Sequence, residues 1–169
     1  WAECAMIKHS FCLADVRTLR WNEAGQGQPL VLLHGWSMSA AAFSELSGLL
    51  SADFRLLVPD LPGHGASSPA EDCSLSALAK DLTFWLGAVT AAPVYLLGWS
   101  LGGMLALELA RNHQLVSRLM LVGTSPRFTS GEDWPCALPS TQVKALARNL
   151  ERRFEATLSD FFRMAFAEE

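Results

Sequence analysis

The stretch VYLLGWSLGGMLALELA, residues 94–110, sets a single serine between two runs of opposite habit. Val94 to Leu97 is short, apolar and partly β-branched, the texture of a buried strand. Leu101, Met104, Leu105, Leu107, Leu109 and Ala110 favour a helix that is apolar over most of its circumference. Ser100 therefore falls at a strand-to-helix corner. A corner that tight strains the backbone of its central residue, and Gly98 and Gly102, two positions to either side, let neighbouring backbone approach without a clash. The GxSxG spacing lifts a hydroxyl clear of the sheet edge and aims the N–H groups of the next helix at it, where they stabilise a developing oxyanion. Ser100 is the candidate nucleophile, and the N–H of the following residue, Leu101, is one candidate oxyanion donor.

Two further corners lie upstream. In PLVLLHGWSMSAAAF the apolar run Leu30 to Leu33 reads as a buried strand that ends in His34-Gly35-Trp36. The second oxyanion N–H of a GxSxG corner comes from this earlier strand-to-helix loop, which assigns it to Trp36, whose indole would wall a pocket. His34 invites a role as general base, but a histidine beside a glycine in such a loop is read here as shaping the loop through hydrogen bonds. In LLVPDLPGHGASS another strand, Arg55 to Val58, closes on Asp60 and the turn Pro62-Gly63-His64-Gly65. Asp60 and His64 are likewise read as loop architecture.

Half of the 169 residues are hydrophobic, 18% are charged, and the formal net charge is −4. That is enough apolar material for a core of useful size. No apolar run reaches the ~18 residues of a membrane span, and the N-terminus lacks a signal-peptide pattern, so the expected location is cytoplasmic. The acidic balance without a basic stripe argues against nucleic acid as a partner. The cysteines at 4, 12, 73 and 136 follow no metal-ligand spacing, and free thiols are expected. No GxxxxGK[ST] loop occurs, so nucleotide binding has no support.

Along the chain the expected order is one or two antiparallel strands between Ile7 and Glu23, then strands near 30–33, 55–59, 93–98 and 117–122, with helices near 40–51, 74–89 and 101–112. Alternation of this kind implies a parallel sheet with both faces covered. From Ser125 the texture changes. SPRFTSGEDWPCALPS is rich in turn residues, and the segment after it carries apolar residues at 143, 146, 150, 154, 158, 161, 162 and 166, a helical spacing. The expected division is 1–124 as a core domain and 125–169 as the beginning of a helical cap.

HGW, DLPGHG and GWSLGG in this order and spacing resemble the α/β-hydrolase family. With VGTSPRFTSGEDWP the likeness narrows to the BioH carboxylesterases, which demethylate pimeloyl-acyl-carrier-protein methyl ester, and it extends from about Leu19 onward. The resemblance implies an α/β-hydrolase fold, a mostly parallel doubly wound sheet with a helical cap, here lacking the C-terminal strands. It implies a serine esterase needing no metal or organic cofactor, with Ser100 as nucleophile and Trp36 and Leu101 as the oxyanion hole. Phe161, with Phe162 and Met164, would join Trp36 and Leu101 in binding substrate. The substrate would be a small-molecule or acyl-carrier-protein-linked ester. Arg148, Arg152, Arg153 and Arg163 are candidates for meeting an acidic carrier protein, although Glu151, Glu155 and Asp160 also suit a solvated, salt-bridged face.

In that family the triad acid and histidine follow the nucleophile after further strands. The histidines here, at 9, 34, 64 and 113, lie within or before the helix that follows Ser100, and His113 would sit at that helix's far end, roughly 20 Å of rise away. Glu132 and Asp133 are read as surface turn charges. The chain is thus expected to hold the first two-thirds of an enzyme, to be inactive alone, and to leave the strand near 117–122 as an open edge available for self-association. Lactonase, thioesterase or cofactor-free haloperoxidase chemistry would share every motif, and a ligand-binding or scaffold protein that has lost its base is the alternative outside enzymes.

Overall fold

The computed structural model describes residues 6–112 and 114–166. Cys4 and His113 lie outside the described residues, so the expectations about them are not addressed by it. Among the described residues the chain runs β1 (Ile7–Cys12), β2 (Thr18–Ala24), β3 (Gln28–Leu33), a 3-10 turn (Ala40–Phe43), α1 (Ser44–Leu50), β4 (Phe54–Pro59), α2 (Leu75–Val89), β5 (Val94–Trp99), α3 (Leu101–Ala110), β6 (Val116–Val122), α4 (Ser140–Arg152) and α5 (Phe154–Ala165). The one helix expected near 40–51 is interrupted at its start. Ser39 caps Ala41 through its hydroxyl, and the Asp60 carboxylate takes the Ala40 N–H, so the first turn winds as 3-10 before α1 begins.

The six strands pair in the order β1-β2-β4-β3-β5-β6. β1 and β2 form an antiparallel hairpin, β2 meets β4 antiparallel, and β4, β3, β5 and β6 run parallel. Burial explains why the parallel strands read as continuous apolar runs. Val31 and Leu33 of β3, Leu57 of β4 and Val94 and Leu96 of β5 pack on one face with Leu78, Leu82 and Trp85 of α2 and Leu105 and Leu109 of α3. Leu30 and Leu32, Leu56 and Val58, and Leu97 face the other way, onto Ala40 and Phe43. Adjacent side chains enter opposite cores, so neither face of the central strands can be polar.

Polar ties fix the periphery. Arg17, in the β1–β2 turn, sits between Asp15 at 2.6 Å and Asp81 of α2 at 2.8 Å, and Arg55 of β4 pairs with Glu23 of β2 at 2.7 Å. At the opposite edge, among the described residues, β6 pairs with β5 alone. Val116 is buried, whereas Leu119, Met120, Leu121 and Val122 are all exposed, from 39% to 57%.

The chain divides into two compact units, 1–126 and 127–169. The second opens with a turn in which Ser130 N–H donates to Leu138 and Leu138 N–H to Phe128. Arg127 pairs with Asp133, an exposed turn charge. It continues as α4 and α5, whose apolar residues fall at helical spacing. No helix among the described residues is long and apolar enough to cross a membrane. Cys12, Cys73 and Cys136 are free and exposed.

The sheet-to-helix core carries the stability of the first unit. Leu82→Ala, at a fully buried position, should lower the unfolding free energy measured in urea by about 2–5 kcal/mol. Phe84→Ala, two residues away and half exposed, should lower it by less than about 1 kcal/mol.

Candidate functional site

The corner at Ser100 is built by close approach. Ser100 follows β5 directly and precedes α3, with φ 55° and ψ −114°, a combination that ordinary L-residues avoid and that costs about 1–3 kcal/mol. Side chains at Gly98 and Gly102 would collide with backbone. A Cβ on Gly98 would lie 2.5 Å from the Cα of Gly103, and one on Gly102 would lie 2.7 Å from the carbonyl oxygen of His34. The glycines of GxSxG are therefore the space in which β5, the first turn of α3 and the end of β3 come together. The Ser100 N–H donates to the Val122 carbonyl of β6 at 3.0 Å, and its own carbonyl accepts from Gly103 and Met104.

A serine in the N-cap position normally turns its hydroxyl back onto the helix. Ser100 makes no such capping bond. Leu101 and Gly102 occupy the first two helical positions, where an N–H has no carbonyl partner inside the helix, and the helix dipole places partial positive charge there. The hydroxyl and the helix end are thus presented together.

The β3 corner closes on the same place. A Cβ on Gly35 would stand 3.5 Å from that of Ser100, and the Trp99 indole lies against Gly35 and Gly123. Trp36 follows Gly35 and is half-buried, and Ser37 after it has φ 59°, a sharp left-handed turn. Sequence reasoning does not find the Ser37 turn, since serine carries no signal for that conformation.

His34 holds this corner in place. It is fully buried, with Nδ1 2.8 Å from the Gly35 carbonyl, while Nε2 accepts the Leu61 N–H at 2.9 Å. Accepting at Nε2 requires the neutral tautomer with the proton on Nδ1, which then donates to Gly35. Both ring nitrogens are spent on backbone, so His34 shapes the loop and is not placed to take a proton from Ser100. Burial pushes its imidazole down to about 4, with the nearby His64 ring acting in the same direction. His64 Nδ1 contacts the Pro62 carbonyl. Asp60 accepts from Ala40 and Ala66 N–H at 2.7 and 2.9 Å, pinning the loops after β3 and β4 to each other. His9 lies on β1, stacked on Trp21 and 3.6 Å from Glu23.

The structure thus brings Ser100, Leu101 and the Gly35-Trp36 corner together in the first unit. Phe161, Phe162 and Met164 lie in the second, on α5. Phe161 and Met164 line a cavity of about 430 Å³ with Leu146, Asn149 and Arg153, whereas Phe162 packs between Phe161 and Phe166. Arg163 pairs with Asp160 on the same helix. Among the described residues no cluster of His, Cys, Asp or Glu is arranged to hold a metal ion.

Residues 28–167 match the family model described as the alpha/beta hydrolase fold, and the chain belongs to that family. Within it, the chain is 41% identical over 138 residues to the pimeloyl-[acyl-carrier protein] methyl ester esterase of Chromobacterium violaceum, covering 81% of this chain and 53% of that protein. It is 38% identical over 141 residues to the protein of the same name from Nitrosospira multiformis, covering 81% and 54%. Among solved structures, an esterase from Exiguobacterium antarcticum superimposes with a TM-score of 0.90 at 28% identity, over 96% of this chain and 63% of that one. The chain spans about half the length of the curated relatives it matches.

The His34 clamp gives a pH signature. The fold favours the neutral imidazole, while the unfolded chain takes up a proton below about 6.5. Its stabilisation is whole above that pH and is lost as pH falls toward 4, amounting to about 3 kcal/mol in full. Urea unfolding at a series of pH values should show this fall, and His34→Gln should flatten it while lowering stability at neutral pH.

Proposed function

We propose that this chain carries the nucleophile and oxyanion hole of a serine carboxylesterase that hydrolyses a carboxylic methyl ester, the pimeloyl ester borne on an acyl-carrier protein. The observation that carries the reading is the Ser100 corner, a strained serine whose hydroxyl makes no capping bond at a helix N-terminus. The relatives named above support the choice of substrate.

Ser100 Oγ attacks the ester carbonyl, and the N–H groups of Leu101 and Trp36 hold the resulting oxyanion. Collapse expels methanol and leaves an acyl-enzyme, which water hydrolyses to the free acid. No metal or organic cofactor enters these steps. Residues 1–124 serve as the core domain and 125–169 as the start of a cap, with Phe161, Phe162 and Met164 meeting the acyl chain and Trp36 walling the pocket. Arg148, Arg152, Arg153 and, in exchange for its Asp160 partner, Arg163 are the basic groups assigned to meet an acidic carrier. The reading places the enzyme in the cytoplasm, in keeping with three exposed free thiols, and assigns it neither nucleic acid nor membrane as partner. The exposed β6 edge is proposed as a surface for self-association of the 169-residue chain, to be read as a dimer in light scattering. A monomer with that edge open contradicts this part.

The test is methanol release from pimeloyl-acyl-carrier-protein methyl ester by the whole gene product. Ser100→Ala should reduce it to background, and retention of turnover in that variant overturns the assignment. With His34 committed to backbone, the 169 residues alone should hydrolyse p-nitrophenyl esters near background, since loss of a general base removes about 10² to 10⁴ of the rate. Enzyme-like turnover by them would mean that a base lies within this chain.

A further inference from the structure

The strained conformation of Ser100 has to be held by something outside its own helix, and the structure shows one side chain in position to do so. Thr124 follows Gly123, which turns the chain at φ 53° immediately after β6. Its Oγ1 lies 3.0 Å from the Ser100 carbonyl and 3.2 Å from the Val122 carbonyl. The same Val122 carbonyl accepts the Ser100 N–H at 3.0 Å. Thr124 also packs on the first turn of α3, where a Cβ on Gly103 would come within 2.7 Å of the threonine Cβ and closer still to its hydroxyl. The second glycine of the GlyGly pair at 102–103 is thus the seat of this side chain.

We propose that Thr124 is a positioning residue for the nucleophile: its hydroxyl donates to the Ser100 carbonyl and, with the Ser100 N–H bond to Val122, holds both ends of the strained peptide against β6. A hydroxyl has one proton, so it serves one carbonyl at a time. The Ser100 carbonyl is the nearer acceptor, and engaging it ties the corner to the chain just past the end of β6, 24 positions distant in sequence number. The Gly103 and Met104 N–H groups bond the same carbonyl from within α3. The Thr124 bond adds a tie to that carbonyl from outside the helix, on the β6 side. Strained backbone persists only where the surroundings over-determine it. The role of Thr124 in catalysis rests on the reading of Ser100 as nucleophile, whereas the bond itself is measurable without any ester.

The experiment compares the 169-residue chain with Thr124→Val, which keeps the shape and removes the hydroxyl, and Thr124→Ser, which keeps the hydroxyl. The readouts are the Ser100 and Val122 carbonyl and Ser100 Cα ¹³C shifts and the amide exchange rates of Ser100 and Leu101 by NMR. The expected result is that Thr124→Val moves the Ser100 carbonyl shift and speeds exchange at Ser100 by about tenfold, while Thr124→Ser restores both. If Thr124→Val unfolds the chain, Thr124→Ala is read in its place against the same Thr124→Ser standard. The proposal is overturned if the hydroxyl-free variant matches the native chain at Ser100, if it perturbs the Val122 carbonyl alone, or if Thr124→Ser behaves like it. Absence of esterase activity leaves these signals unchanged, so failure of the proposed function and failure of this inference are told apart.

Discussion

Everything specific to the site depends on the near-contact of three backbone segments around Gly98, Gly102 and Gly103. A single Cβ at Gly98 or Gly102 would enter the van der Waals space of neighbouring backbone. With no side chains there, α3 begins almost on top of the ends of β5 and β3, and the chain can turn from strand to helix within one residue. That residue takes the strain, at φ 55°, and in exchange its hydroxyl stands next to a helix N-terminus rather than bonding to it.

The rest of the first unit keeps this corner from relaxing. Both faces of the central strands are buried, so β5 cannot shift by one residue without turning its apolar side chains the wrong way. His34 ties the end of β3 to the loop after β4 through a buried bond to Leu61, and Asp60 repeats the tie through Ala40 while bracing its own loop through Ala66. Both residues spend their side-chain hydrogen bonds on backbone beside the candidate site. Their bonds tie the Gly35-Trp36 corner to neighbouring backbone, and a donor fixed in advance suits the proposed oxyanion role because no reorganisation is needed when charge develops.

Much of this was legible in the sequence because it is local. A run of Val and Leu bounded by glycines reads as a strand, a run of Leu and Ala after GxSxG reads as a helix, and the strands near 30–33, 55–59, 93–98 and 117–122 fall within one or two residues of β3, β4, β5 and β6. What was not legible is long-range. The hydrogen bond from Thr124 to Ser100 exists only because β6 lies beside β5, and nothing in the GTS segment at 123–125 announces it. The left-handed turn at Ser37 and the 3-10 start of the helix at Ala40 are likewise imposed by neighbours, not by propensity.

The candidate site depends on Ser100 being held strained with its hydroxyl facing two backbone donors. A crystal structure of the chain with a small alkyl boronic acid, which adds to a serine Oγ as a tetrahedral anion, tests this directly. The expected result is a positive φ at Ser100 and a boronate oxygen about 2.7–3.1 Å from both the Leu101 and Trp36 nitrogens. A Ser100 in ordinary extended or helical conformation, or a boronate oxygen turned to solvent away from those nitrogens, would contradict it.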